Sequence, residues 1–354
     1  MKKHIITLLV LMLFLTTNTL AVSKVGTTAA QFLKIGVGSR AIGMGGAFVA
    51  LANDVTALYW NPAGVPRLQN NEVILLHTDW LAGISFDYAG AAVHMGNFGS
   101  VGVSITSLSM GEMKVRTELE PEGTGEFFDA GDIAVGLAYG RSLTDRFSIG
   151  FNLKYVRQSI WHMAANGVAL DIGTLFTTQF NGMTIGMSIS NFGPNMKMSG
   201  RDAKEYIDVN PSAEGSNDQI PAYRQLDGWA LPITFRVGVA MNALKTDMHR
   251  MTVALDALHP NDNSESINFG IEYGFNEWAF LRLGWESLFL TDNVRTGLLS
   301  DGYDEGAGED FFPTNAGLGF CYAFSPAFKV KVDYAYVDFG RLNNAQRFSI
   351  GIEF

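Results

Sequence analysis

Phe328-Lys329-Val330-Lys331-Val332-Asp333-Tyr334-Ala335-Tyr336 places apolar and aromatic side chains on alternate residues, with Lys, Asp and Ala between them. A period of two puts the two sets on opposite faces of an extended chain, whereas a helix returns to one face about every 3.6 residues. The pattern spreads in both directions. Downstream, Phe348, Ile350, Ile352 and Phe354 alternate with Arg347, Ser349, Gly351 and Glu353. Upstream, Leu281, Leu283 and Trp285 alternate with Arg282, Gly284 and Glu286, and Phe147, Ile149, Phe151, Leu153 and Tyr155 with Ser148, Gly150, Asn152 and Lys154. The stretch from Tyr88 to Gly111 lacks Asp, Glu, Lys and Arg and has the length of a membrane helix. Its Val101, Val103 and Ile105 nevertheless alternate with Gly102, Ser104 and Thr106, so it reads as two strands joined at Gly96-Asn97-Phe98-Gly99.

One face is greasy and the other polar or small. In a soluble sandwich the greasy face is inside; in an outer-membrane barrel it faces lipid and the polar face lines a lumen. Strand number and loop lengths decide between them. Fourteen strands are expected, near 71–79, 86–95, 98–109, 129–143, 146–162, 165–178, 181–192, 230–244, 247–259, 265–275, 278–288, 314–324, 327–339 and 345–354. The number is even, as bacterial barrels require. Every even-numbered connection is a tight turn, such as Thr144-Asp145 or Ser325-Pro326, and the long loops near 110–128, 193–229 and 289–313 all fall among the odd ones. Short periplasmic turns and long extracellular loops have this sidedness, and both chain ends are then expected in the periplasm. Trp80, Trp161, Trp229 and Trp278 lie near strand ends, where interfacial aromatic girdles form.

Composition agrees with an exported membrane barrel. Of 354 residues, 47% are hydrophobic and 17% charged, against roughly 25% charged in soluble domains. The formal charge of -10 and the lack of a basic run speak against a nucleic-acid partner. A single cysteine, Cys321, leaves no intramolecular disulfide and no Cys-based zinc site. Lys2 and Lys3, the apolar run from Ile5 to Leu15, and Thr19-Leu20-Ala21 form a signal peptide with its cut after Ala21. The domain reading is therefore signal peptide 1–21, plug 22–70 and barrel 71–354.

Residues 22–70 break the strand pattern. Thr27 to Ile35 reads as a short helix ended by Gly36, and Gly36, Gly38, Gly43, Gly45 and Gly46 permit tight turns. The run Gln31-Phe32-Leu33-Lys34-Ile35-Gly36-Val37-Gly38-Ser39-Arg40-Ala41-Ile42-Gly43-Met44-Gly45-Gly46-Ala47-Phe48, followed by Asn53 to Gly64, resembles the PorV/PorQ family within the fatty-acid-transporter-like (FadL-like) barrels. The plug motif Asn61-Pro62-Ala63-Gly64 is similar to an element of the long-chain fatty acid transporters, whose N-terminal segment plugs a fourteen-stranded barrel. The resemblance implies a component of type IX protein secretion whose partners are other secretion-system subunits and the C-terminal signals of exported cargo, delivered to a surface attachment complex. The alternative it leaves open is a transporter of long-chain fatty acids or other hydrophobic small molecules. Phe348, Ile350, Ile352 and Phe354 resemble the C-terminal signal read by the barrel assembly machinery.

Other motifs carry less. Gly36-Val37-Gly38-Ser39-Arg40-Ala41 matches a dinucleotide fingerprint but lacks the preceding strand and following βαβ unit. The histidines His77, His94, His162, His249 and His259 lack close metal-ligand spacing. The acidic loop at 292–310 does not have EF-hand spacing and reads as a solvated loop. Lumen-facing Lys154, Arg236, Arg282, Lys329 and Lys331 are set to pair with Asp256, Glu272, Glu286 and Asp333. No catalytic, cofactor or metal site is assigned. The expectation is a plugged outer-membrane barrel that is not an enzyme, its long loops extracellular and its outer face in lipid.

Overall fold

The computed structural model describes residues 25–209, 212, 219–288, 313–325, 328–339 and 344–354, and these form one closed antiparallel barrel. Its fourteen strands are β1 (Glu72–Asp79), β2 (Ser85–His94), β3 (Ser100–Ser109), β4 (Ala130–Ser142), β5 (Phe147–Ile160), β6 (Met163–Thr177) and β7 (Thr184–Phe192), followed by β8 (Thr234–Lys245), β9 (His249–Pro260), β10 (Ser266–Phe275), β11 (Ala279–Leu288), β12 (Asn315–Ala323), β13 (Lys329–Asp338) and β14 (Asn344–Glu353). Each pairs with its neighbours in sequence. The barrel closes where β14 meets β1, in a register running from Glu72 opposite Glu353 to Thr78 opposite Arg347. Closure removes the free edge that an open sheet would expose.

The alternation is inverted relative to a soluble protein. Leu137, Leu153, Phe348 and Ile350 each leave half or more of their surface exposed on the outside, while Asn152, Asp171, Asp256, Glu272 and Arg282 are buried within. Water does not favour that arrangement; an outer face in hydrocarbon does. No helix among the described residues is long and apolar enough to cross a membrane.

The long connections 110–129, 193–233 and 289–314 all leave one end of the barrel, and the short turns leave the other. Two of the long loops carry their own ribbons, Met113–Lys114 with Phe127–Phe128 and Lys204–Ile207 with Ile220–Tyr223. The signal peptide and the acidic loop at 292–310 lie outside the described residues. The expected tryptophan girdle is uneven. Trp278 is exposed beside Phe275 and Phe320, and Trp161 is exposed at the long-loop end. Trp80 instead turns inward, its ring 5.0 Å from the guanidinium of the lumen-facing Arg347.

The core lies inside the barrel, between its wall and the chain that precedes β1. Val37, Val55, Leu58 and Val65 pack on Ile74, Phe86, Tyr88 and Leu175, and Ile42, Met44 and Phe48 on Ala240, Ala254 and Ala335. Phe32 and Leu33 pack on Ala134, Val156 and Leu231. This segment runs the length of the lumen. It begins at the long-loop end, where Ala29 N–H donates to Ala230 O at 2.9 Å, and leaves at the short-turn end, where Asn71 and Phe354 exchange backbone hydrogen bonds. The expectation of both chain ends on the short-turn side therefore fits Phe354 but not the described start of the chain. The reason is that the start of β1 marks where the plug ends, not where it begins.

Arginine at an outward mid-wall position costs roughly 2–4 kcal/mol. Leu153→Arg is expected to reduce the yield of heat-modifiable barrel, and Leu119→Arg, at a loop position 93% exposed, to leave it unchanged. Equal yields would contradict the assignment of faces.

Candidate functional site

A plug with little regular structure has backbone N–H and C=O groups that no ladder satisfies, and burial makes each costly unless paired. The polar face of the barrel supplies the partners. Asp256 accepts from the N–H groups of Phe48 and Val49 at 2.7 and 2.8 Å, and Glu72 from that of Val55 at 2.8 Å. Asn152 donates to Leu58 O, Ser148 to Ala63 O, Ser188 to Trp60 O and Asn315 to Ile42 O, over 2.8–3.1 Å. The motif residue Asn61 is fully buried. Its Nδ2 donates to Val49 O and Thr174 O, and its Oδ1 accepts from Ala63 N–H, capping the short 3₁₀ turn Pro62–Arg67. Pro62 suits the first position of that turn because its missing N–H would have had no intrahelical partner.

Close approach of plug to wall depends on glycine. A Cβ at wall residue Gly284 would stand 2.0 Å from Gly45 N, one at Gly270 2.4 Å from Met44 O, and one at Gly186 2.4 Å from Val49 O. At Gly150 it would meet Pro62 at 2.2 Å, and at Gly173 the side chain of Asn61 at 2.0 Å. These glycines share the inward parity of their strands, so backbone lies on backbone around the lumen. Within the plug, Gly45 has φ +66 and is pressed against the Trp285 backbone, and Gly38 and Gly46 also have positive φ. Gly36 and Gly43 serve by size, with Trp60 and Gly317 as neighbours.

Charge adds a second bond between plug and wall. Plug residue Arg40 meets Glu272 of β10 through Nε and Nη2 at 2.8 and 2.9 Å. Arg250 and Arg282 meet the same carboxylate at 3.0 and 2.8 Å. Asp54, Glu277 and Asp333 balance the three arginines. Arg67 ties the end of the plug to the wall near the short turns through Ser148, Thr177 and the carbonyls of Arg146 and Leu175. Below it opens a cavity of about 1350 Å³, facing the short turns and lined in part by Arg250, Lys329, Lys331 and Glu353.

Of the pairs read from sequence, only Arg282 with Glu272 and with Asp333 form as expected. Lys154 pairs with Asp171 at 2.7 Å, and Lys331 with Glu72 at 3.0 Å and with Glu353. Arg236 stacks on Tyr59 and Trp60 instead of meeting Asp256, which is taken up by the plug backbone. The helix expected at 27–35 shrinks to a 3₁₀ turn at Gln31–Lys34, because Ala29 and Ala30 give their N–H groups to Ala230 and Gln158. The histidines are dispersed, and no group of three or more metal-ligating side chains assembles among the described residues. Phe348, Ile350 and Phe354 are exposed on the outer face, with Ile352 partly covered.

A plugged fourteen-stranded barrel with inward polar and outward apolar residues invites comparison with membrane barrels of that size. The family model for the type IX secretion system protein PorV matches residues 18–226, more than half of the chain. The chain belongs to the PorV family. That match takes in the plug and β1 to β7. The toluene transporter TbuX of Ralstonia pickettii is similar in structure, at 11% identity and a TM-score of 0.51, over 90% of this chain and 97% of that one. The P. putida toluene transporter TodX is similar at 10% identity and 0.51, over 90% and 96%. A Pseudomonas aeruginosa FadL homologue gives 10% identity and 0.49, over 90% and 98%. The two transporter likenesses show the fold, a barrel of the same architecture. No curated protein matches the chain significantly.

Sequence reasoning placed Gly150 and Gly284 on the polar or small face but missed that the inward wall glycines seat the plug, and it missed Asp256 and Glu272 as plug anchors. The signal was available: Gly150, Gly173, Gly186, Gly270 and Gly284 all occupy positions of polar parity. Gly284→Ala is expected to loosen the plug and raise sensitivity to a large antibiotic in an assembled barrel. Gly351→Ala, whose Cβ meets nothing closer than 3.6 Å, is expected to leave sensitivity unchanged. Equal sensitivity of both variants and the wild type would show that these contacts do not seal the lumen.

Proposed function

We propose that this PorV-family barrel works in the outer membrane as a component of type IX-like protein export. Its short turns face the periplasm and its long loops the exterior, where they engage the C-terminal signals of exported cargo and other secretion subunits. The N-terminal 21 residues act as the signal peptide, and Phe348, Ile350, Ile352 and Phe354 serve recognition by the barrel assembly machinery. The family match carries this reading. The way the plug is held supports a loop-face role over a conduit role: a hydrophobic solute passing along the lumen would have to part backbone from backbone at Gly284, Gly270 and Gly186. It would also have to break the Arg40–Glu272 pair in a buried setting, where losing one partner costs about 3–5 kcal/mol. Asn61-Pro62-Ala63-Gly64 and the plug glycines have a structural role in this account, holding the lumen shut.

Deletion of the gene, followed in parallel by measurement of surface protein display and uptake of a labelled fatty acid, separates this role from hydrophobic transport. Display is expected to fall with uptake intact. Lost uptake with normal display would assign the barrel to transport.

A further inference from the structure

The first described residues, Val25 to Lys34, do more than lead into the plug. Val25, Gly26 and Thr27 are exposed at the long-loop end. From there Ala30, Phe32 and Leu33 turn down into the mouth, among Ala134, Val156, Ala169, Met196 and Leu231, and are almost fully buried. The polar side chains of the same stretch converge on one carboxylate. Asp262, in the connection between β9 and β10, is 1% exposed and accepts from Thr28 Oγ1 at 2.8 Å, Gln31 Nε2 at 2.6 Å and Lys34 Nζ at 2.8 Å. Burial pushes the Asp262 carboxyl up, but the hydrogen bonds from Lys34, Gln31 and Thr28 outweigh it and hold it below the usual carboxylate range. Two bonds donated by backbone N–H groups, from Ala29 to the carbonyl of Ala230 and from Ala30 to the side-chain Oε1 of Gln158, tie the same segment to the loop after β7 and to β5. Beneath it, Tyr59 Oη donates to Leu33 O at 3.2 Å.

We propose that residues 25–34 form a strap across the outer mouth of the lumen, displayed at the cell surface and clasped by Asp262. The inference rests on the long-loop end facing outward. Asp262 is almost fully buried beneath three side chains from a segment more than 200 residues away, so its carboxylate regains water only if that segment lifts. The strap's apolar side covers the mouth while its leading residues stay in solvent.

The test uses the full-length protein in intact cells, with a short epitope inserted after Gly26, where a Cβ would meet nothing within 4 Å, and a second variant carrying it beside Leu119. Both epitopes are expected to bind antibody without permeabilisation. Labelling at 119 but not at 26 would overturn the strap while leaving the outward orientation intact. Protection of both, in a barrel that is heat-modifiable, would overturn the orientation and the strap with it. Asp262→Ala is then expected to raise the rate of external trypsin cleavage after Lys34 by roughly tenfold or more, since each lost bond to a charged group is a sizeable contribution. An unchanged rate in an assembled barrel would show that Asp262 is not the clasp.

Discussion

An irregular chain packed against a barrel wall carries backbone N–H and C=O groups that no ladder satisfies, and burying each is costly unless it is paired. That constraint shapes the barrel from the inside. The lumen face carries Asp256, Glu72, Asn152, Ser188 and Asn315 where the plug presents unpaired N–H or C=O groups. It carries glycine where the plug comes too close for any side chain. Polar alternation along the strands is thus a template for one particular plug path as well as a lining.

The same constraint explains the placement of charge. Glu272 sits among Arg40, Arg250 and Arg282, and each of these has a further carboxylate. Burying such a cluster is unfavourable unless its members are paired, and once paired it resists the removal of any one of them. Arg40 belongs to the plug, so the cluster makes plug retention and wall integrity one problem.

The barrel itself was legible because its signal repeats. Fourteen two-residue periods and alternating loop lengths cannot arise from one accidental run, and family resemblance in residues 31–64 pointed to the same architecture. The plug was legible only as a departure from that pattern. Its path was not, because it is set by contacts distant in sequence, such as Asp262 with Gln31 and Gly284 with Gly45. Charge pairing failed for a related reason. Parity places Arg236 and Asp256 on the same face, but the plug backbone at Phe48 and Val49 claims the carboxylate first. Trp80 shows the limit of position along a strand, since a residue at a strand end can turn to the lumen when Arg347 offers its guanidinium there.

The plug is bonded into the wall at Asp256 as part of one fold, not held as a loose insert. Hydrogen–deuterium exchange on the purified barrel in a membrane mimetic measures this directly, with the amides of Phe48 and Val49 as reporters of the Asp256 anchor. They are expected to exchange as slowly as amides in the middle of β9 and β10. Rapid exchange of those two amides together with the rest of the plug, while the strands stay protected, would contradict it.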